Sequence, residues 1–353
     1  MLDIMPRMWH IAHAPVFRNR QATQIMKKNL FILSLAVGLA SAAYAIDGAA
    51  NTNQDAGTPQ SPNVHAVGMV TGEADFLVSE GLRMADGATA GAVGPFAGAG
   101  FSSLRHKSHP NSTDSDTWYA AAGAFKNFDN LFVAVAGLYG KADFDLNTPG
   151  STYGGGDASA LAGALFANWK DEKTGWHADG SAILGRMRSS YNVGSYGVST
   201  HFTDKASYCS ANVGMGREFA VGKGDNSVDL YARYYFGHSN ASNVSVGGVD
   251  SMRYSGVDSH RLLVGARYII PVTESTKVYV GTGWMYEMGG DVEANFLGNR
   301  TSSASVEGHS GMVEIGTRFK PFEHKTFTLD LSVSGWLGVQ RGINLGFGGK
   351  YSF

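Results

Sequence analysis

The chain has 353 residues, of which 16% are charged and 11% aromatic, and its formal net charge is -2. So neutral a balance supplies no basic footprint for nucleic acid, and no nucleic-acid partner is expected. Its one cysteine, Cys209, excludes an intrachain disulfide, while 47 glycines against 9 prolines, with 15 Tyr and 19 Phe, favour β-structure.

Residues 1–25 carry Arg7, Arg18 and Arg20 without periodicity. They read as an upstream extension outside the fold, with the true start at Met26. Residues 26–45 have the layout of a secretory signal peptide. Lys27 and Lys28 precede an apolar run from Leu30 to Ala40, and Ala43-Tyr44-Ala45 closes it. The run is short beside the roughly 20 residues of a spanning helix, so cleavage after Ala45 and export of the chain are expected. Residues 46–68 are small and polar and read as a flexible linker or short passenger remnant. In residues 69–92, EADFLVSEGLRMADG predicts a short helix near Glu73–Asp86, closed by Gly87 and weakened by Gly81.

From Val93 to Phe353 apolar and polar residues alternate in stretches of about ten, the length of a tilted strand crossing a bilayer. Val228, Leu230, Ala232, Tyr234 and Phe236 oppose Asp229, Tyr231, Arg233 and Tyr235. Similar strands follow at Leu262–Ile270, Val278–Met288 and Phe327–Val333, whereas LFVAVAGLYG and ASALAGALFANW alternate small with large and leave their facing open. Short connections (KNFDN, KDEKTG, VGKGDNS, PVTESTK, KPFEHK) take turns with long ones such as RHKSHPNSTDSDT, and GWLGVQRG joins the last pair. The expectation is an all-β fold: an antiparallel, up-and-down transmembrane barrel of about twelve strands with a short N-terminal helix in its lumen.

A secreted β-sandwich alternates in the same way. Against it, the polar faces carry Arg233, Arg261, Arg267, Glu287, Glu314, Arg318 and Asp330 among many glycines, as a crowded hydrated lumen requires. Trp118, Tyr119, Trp169, Trp176, Tyr268, Phe319 and Phe322 gather near strand ends like an interfacial girdle. The lumen charges are expected to hold the helix through Glu73, Asp75, Glu80 and Arg83, with Arg233, Arg261 and Arg267 as the grip. The partner of the outer face is the lipid bilayer of the outer membrane.

His177, Asp179 and Ser181 share one face of a strand. Neighbours two apart lie about 7 Å from each other, against the roughly 3 Å of a working triad, so no enzyme is expected. His106 and His109 show no metal-site spacing, and TYGGGD precedes a strand rather than a helix. Neither a metal nor a cofactor is expected.

The chain ends GINLGFGGKYSF, with Ile343, Leu345, Phe347, Tyr351 and Phe353 on one side. That ending resembles the C-terminal signal read by the outer-membrane barrel-assembly machinery. The succession VDLYARYYFGHSN, SHRLLVGARYIIPVTESTKVYVGTGWMYEMGGD and GINLGFGGKYSF resembles the autotransporter β-domain, over roughly Val93 to Phe353. The resemblance implies a twelve-stranded barrel with a helix through its lumen, acting as a translocator or a plugged pore. Two features depart from it: little chain precedes the helix as passenger, and no adjacent asparagine pair stands near it. The alternative is a surface adhesin acting through its long extracellular loops.

Overall fold

The computed structural model describes residues 61–86, 88–108, 111–147, 153–195, 198–222, 225–246, 250–291, 293–296, 299–300, 305–321 and 326–353. The expected extension, the signal peptide with Ala43 and Ala45, and residues 46–60 lie outside them.

One helix, α1 (Ser61–Ala85), precedes the sheet. The first barrel strands are β1 (Val93–Ser108), β2 (Asn111–Phe128), β3 (Leu131–Asn147), β4 (Tyr153–Lys170), β5 (Trp176–Ser195), β6 (Val198–Ala220) and β7 (Ser227–Ser239). Beyond the short strands β8 (Ser242–Val246) and β9 (Asp250–Tyr254) come β10 (Val257–Thr273) and β11 (Thr276–Glu287). Two more short strands, β12 (Ala294–Phe296) and β13 (Asn299–Arg300), precede β14 (Gly308–Phe319), β15 (Phe327–Gly338) and β16 (Gln340–Tyr351). The twelve long strands form a closed antiparallel barrel, and β13-β12-β9-β8 form a separate four-stranded sheet.

The barrel closes where β1 meets β16, in the register Phe96↔Lys350 to His106↔Gln340. The Phe353 N–H donates to the Val93 carbonyl at 2.9 Å, so the last residue of the chain is tied to the first strand. Closure removes the open edge that lipid cannot satisfy.

At one end the connections are tight. Asp129 takes φ 53° between β2 and β3, a left-handed conformation that Asp tolerates better than most residues. At the other end several segments read as long loops are strand. Ladder pairing continues to Ser108↔Asn111, Asn147↔Tyr153 and Ser195↔Val198. Polar side chains concealed these extensions because the strand pattern there no longer alternates with apolar residues. GWLGVQRG is not a loop either: β15 reaches Gly338, whose φ of 136° turns the corner into β16.

Helix α1 opens at Ser61, inside the stretch read as linker. Pro62 falls in the first turn, where no intrahelical N–H bond is lost. From Met69 to Met84 residues are buried on every side of the helix, apolar and charged alike. A helix enclosed by a wall needs no polar face, so the amphipathic period that marks a surface helix is missing.

Candidate functional site: the occupied lumen

Strand parity decides what faces the helix. On β7, Tyr231, Arg233 and Tyr235 are buried inside while Leu230 and Tyr234 are exposed outside. The same alternation turns Arg261 and Arg267 (β10), Glu287 (β11), Glu314 and Arg318 (β14) and Asp330 (β15) inward.

These seven charges divide by partner. Arg233 donates to Asp179 at 3.0 Å and Arg267 to Glu314 at 3.1 Å, both bonds from wall to wall. The grip on the helix expected from these two arginines is absent, because wall carboxylates lie closer and take their donors. Arg261 does reach the helix, donating to Asp75 at 2.8 Å and to the Thr71 carbonyl at 3.1 Å. Glu287 lies 4.0 Å from the Arg261 guanidinium. Arg318 bonds Asp86 just past the helix and Asp330 at 2.9 Å.

Other wall residues complete the seat. Lys350 donates to the carbonyls of Met84 and, at 3.3 Å, Asp86, where a helix C-terminus leaves acceptors unpaired. Arg83 donates to Ser332 and pairs with Glu80, and the Tyr208 hydroxyl donates to Glu73. The Asn127 amide donates to the carbonyls of Ala88 at 2.9 Å and Thr89 at 3.0 Å, pinning the link from helix to β1. Sequence reasoning missed Lys350, although it lies on the inward parity of β16. It also missed Tyr208, Ser332 and Asn127, which carry no distinctive signal. Tyr119, placed in the girdle from sequence, points inward and stacks on Phe76 with ring centroids 5.7 Å apart. Proximity to Trp118 misled, since adjacent residues of a strand face opposite ways.

Beside the helix remain cavities of about 90 and 150 Å³. They have room for a few waters and none for an extended peptide.

The remaining candidates are dispersed. His177 sits 2.7 Å from Asp229, while Asp179 pairs with Arg233 and is joined to Ser181 only through Asn212, which donates to Asp179 at 3.0 Å and accepts from Ser181, so the three share no direct contact. His106 faces inward from β1 against Gly68, and His109 lies outside the described residues. Among the described residues no three potential ligands cluster as a metal site. Trp118, Trp169 and Trp176 are exposed on the outer face, Tyr268 and Phe319 partly so, and Phe322 is outside the described residues. Leu345, Phe347, Tyr351 and Phe353 are exposed on that same face. Cys209 is half-buried and unpaired.

The family model for the autotransporter beta-domain matches residues 77–333, running from α1 into β15. The chain belongs to the autotransporter β-domain family. Its barrel is thus an outer-membrane β-barrel. Solved structures share the fold at low identity. The translocator domain of NalP from Neisseria meningitidis is 14% identical with a TM-score of 0.64, covering 83% of this chain and 98% of that one. The transport unit of AIDA-I from Escherichia coli is 13% identical with a TM-score of 0.57, covering 84% and 100%. The β-domain of the Bordetella autotransporter BrkA is 17% identical with a TM-score of 0.56, covering 74% and 100%. No curated protein sequence matches the chain.

Proposed function

We propose that this chain is a translocator barrel whose own helix plugs the lumen after the upstream segment has passed through. One observation carries this reading: α1 runs the height of the wall in a single direction. Near its start Gly68 lies against His106, at the long-hairpin end of β1. Past its end Asp86 is bonded by Arg318, near the short-turn end of β14. A helix of 25 residues is about 37 Å long, enough to cross the barrel. With short turns in the periplasm, as in other outer-membrane barrels, the chain enters the helix from the outer surface. The reading includes export by the signal peptide with cleavage after Ala45, and assembly through the Leu345, Phe347, Tyr351 and Phe353 face. Lipid covers the outer wall.

A second reading, an adhesin, draws on the four-stranded sheet of β8, β9, β12 and β13 in the long hairpins. An epitope inserted after Ile46, probed on intact cells, tests the first. Surface labelling is the expected result. Labelling only after the outer membrane is permeabilised would overturn translocation.

A further inference from the structure

Three cations stand in one row on the outer wall. Register aligns Lys141 of β3 with Ser159 of β4, Ser159 with Arg188 of β5, and Arg188 with Lys205 of β6. Arg186, two residues below Arg188, points the same way, and all four side chains are exposed. Arg188 and Lys205 are direct cross-strand partners, an arrangement of like charges that costs stability unless an anion sits between them. None of the four is in an ion pair among the described residues. The nearest outward carboxylates, Asp116, Asp143 and Asp157, lie one row further up, Asp143 being the cross-strand partner of both others.

The height of the row is informative. On β3 the outward residues below it, from Leu131 through Val135 to Tyr139, are exposed and apolar. From Leu131 to Lys141 is about 33 Å along the strand, or about 25 Å across the membrane at the usual tilt, the full height of an apolar band. The cations therefore sit at its upper rim, on the long-hairpin side. A shallow depression of about 420 Å³ lies at the same place, lined by Tyr139, Leu161, Arg186, Arg188 and Lys205. Below it Gly137 and Gly163 are paired across β3 and β4, and a side chain added to either would meet nothing within 4 Å. Wall, rim and depression together offer an apolar furrow capped by positive charge.

We infer that the outer face of β3–β6 binds a phosphorylated glycolipid of the outer leaflet, its phosphates on Lys141, Arg188, Arg186 and Lys205 and an acyl chain along Gly137 and Gly163. The inference rests on the outer-membrane orientation given above. Phosphate is the group that fits, since guanidinium and ammonium donors bind it with charge-assisted hydrogen bonds.

The test uses the detergent-purified barrel and native mass spectrometry, with bis-phosphorylated lipid A, its dephosphorylated form and inorganic pyrophosphate as probes. Wild type is expected to hold lipid A about tenfold or more tightly than the dephosphorylated form. The variant Lys141→Gln/Arg188→Gln/Lys205→Gln, substituted only at exposed positions, is expected to lose that preference while still inserting into vesicles. An unchanged preference in the variant, or pyrophosphate competing as well as lipid A, would overturn the glycolipid site alone. A wild-type barrel that fails to insert into vesicles would overturn the membrane reading as well.

Discussion

Asp86 stands where two opposing effects meet. Burial works to raise the pKa of its carboxyl, but Arg318 and Lys277 outweigh it and hold the group well below the ordinary carboxylate range. Lys277 lies 3.6 Å away. A carboxylate whose folded pKa is depressed stabilises the fold fully above its unfolded pKa of about 4, and loses that contribution as pH falls toward the folded value. Asp86's own contribution to the seat should accordingly be constant between about pH 7 and 5 and fade only below about 4. Protease accessibility of the segment after Ala85, followed against pH in the wild type and in Asp86→Asn, checks this; an equal loosening of both below about pH 4 would contradict it. The arginines separate more sharply. Arg261→Ala removes bonds to the helix, so conductance in planar bilayers should rise. Arg233→Ala leaves Asp179 buried without its cation, so it should cost about 3–5 kcal/mol of barrel stability with little change in conductance. Opposite results in the two variants would mean that Arg233, and not Arg261, retains the helix.

At the scale of elements, α1 carries three glycines, Gly68, Gly72 and Gly81, that cost helix propensity, about 1 kcal/mol each relative to alanine, and each lies against a ring of the wall. A Cβ on Gly81 would lie 2.7 Å from the Phe166 ring, and one on Gly72 would run into the Tyr119 hydroxyl. Gly72→Ala should destabilise docking by about 1–3 kcal/mol through overpacking. Tyr119→Phe removes the clashing oxygen and should restore part of that loss, a coupling that thermal unfolding of the double-mutant cycle measures. Additive effects would show that the ring moves aside freely. These glycines also explain what was legible in the sequence. Strands such as β7 announce themselves because lipid and lumen impose opposite chemistries on alternate residues. β4 is harder to read, since Ala158 and Ala160 are small on the inward side to admit the helix while Leu161 and Leu165 face out. α1 was half-hidden because wall surrounds it: Gly81 looked like a breaker and residues 61–68 like linker, and only the packed partner turns them into helix.

For the whole molecule, the wall and the helix share out the lumen's charge. Wall pairs such as Arg233–Asp179 and Arg267–Glu314 neutralise themselves at 3.0 and 3.1 Å and stay with the barrel whatever becomes of the helix. Arg261, Arg318 and Lys350 instead reach toward helix-borne groups. Between Met69 and Asp86 the helix segment carries four carboxylates, Glu73, Asp75, Glu80 and Asp86, against a single Arg83. Deleting residues 61–86 removes those carboxylates and leaves Arg261 and Lys350 without their helix partners, Arg318 keeping only Asp330, in the narrow setting where lining charge governs which ion enters. The deletion should therefore give a pore of higher conductance that favours anions, by several-fold over cations at low salt, with the preference fading as screening increases. Reversal potentials in asymmetric KCl measure it. Adding Arg261→Gln and Arg318→Gln to the deletion should abolish the preference without closing the pore. A cation-selective pore after the deletion would mean that wall carboxylates such as Glu287 and Asp330 dominate the empty lumen, and that the helix is held by packing more than by charge.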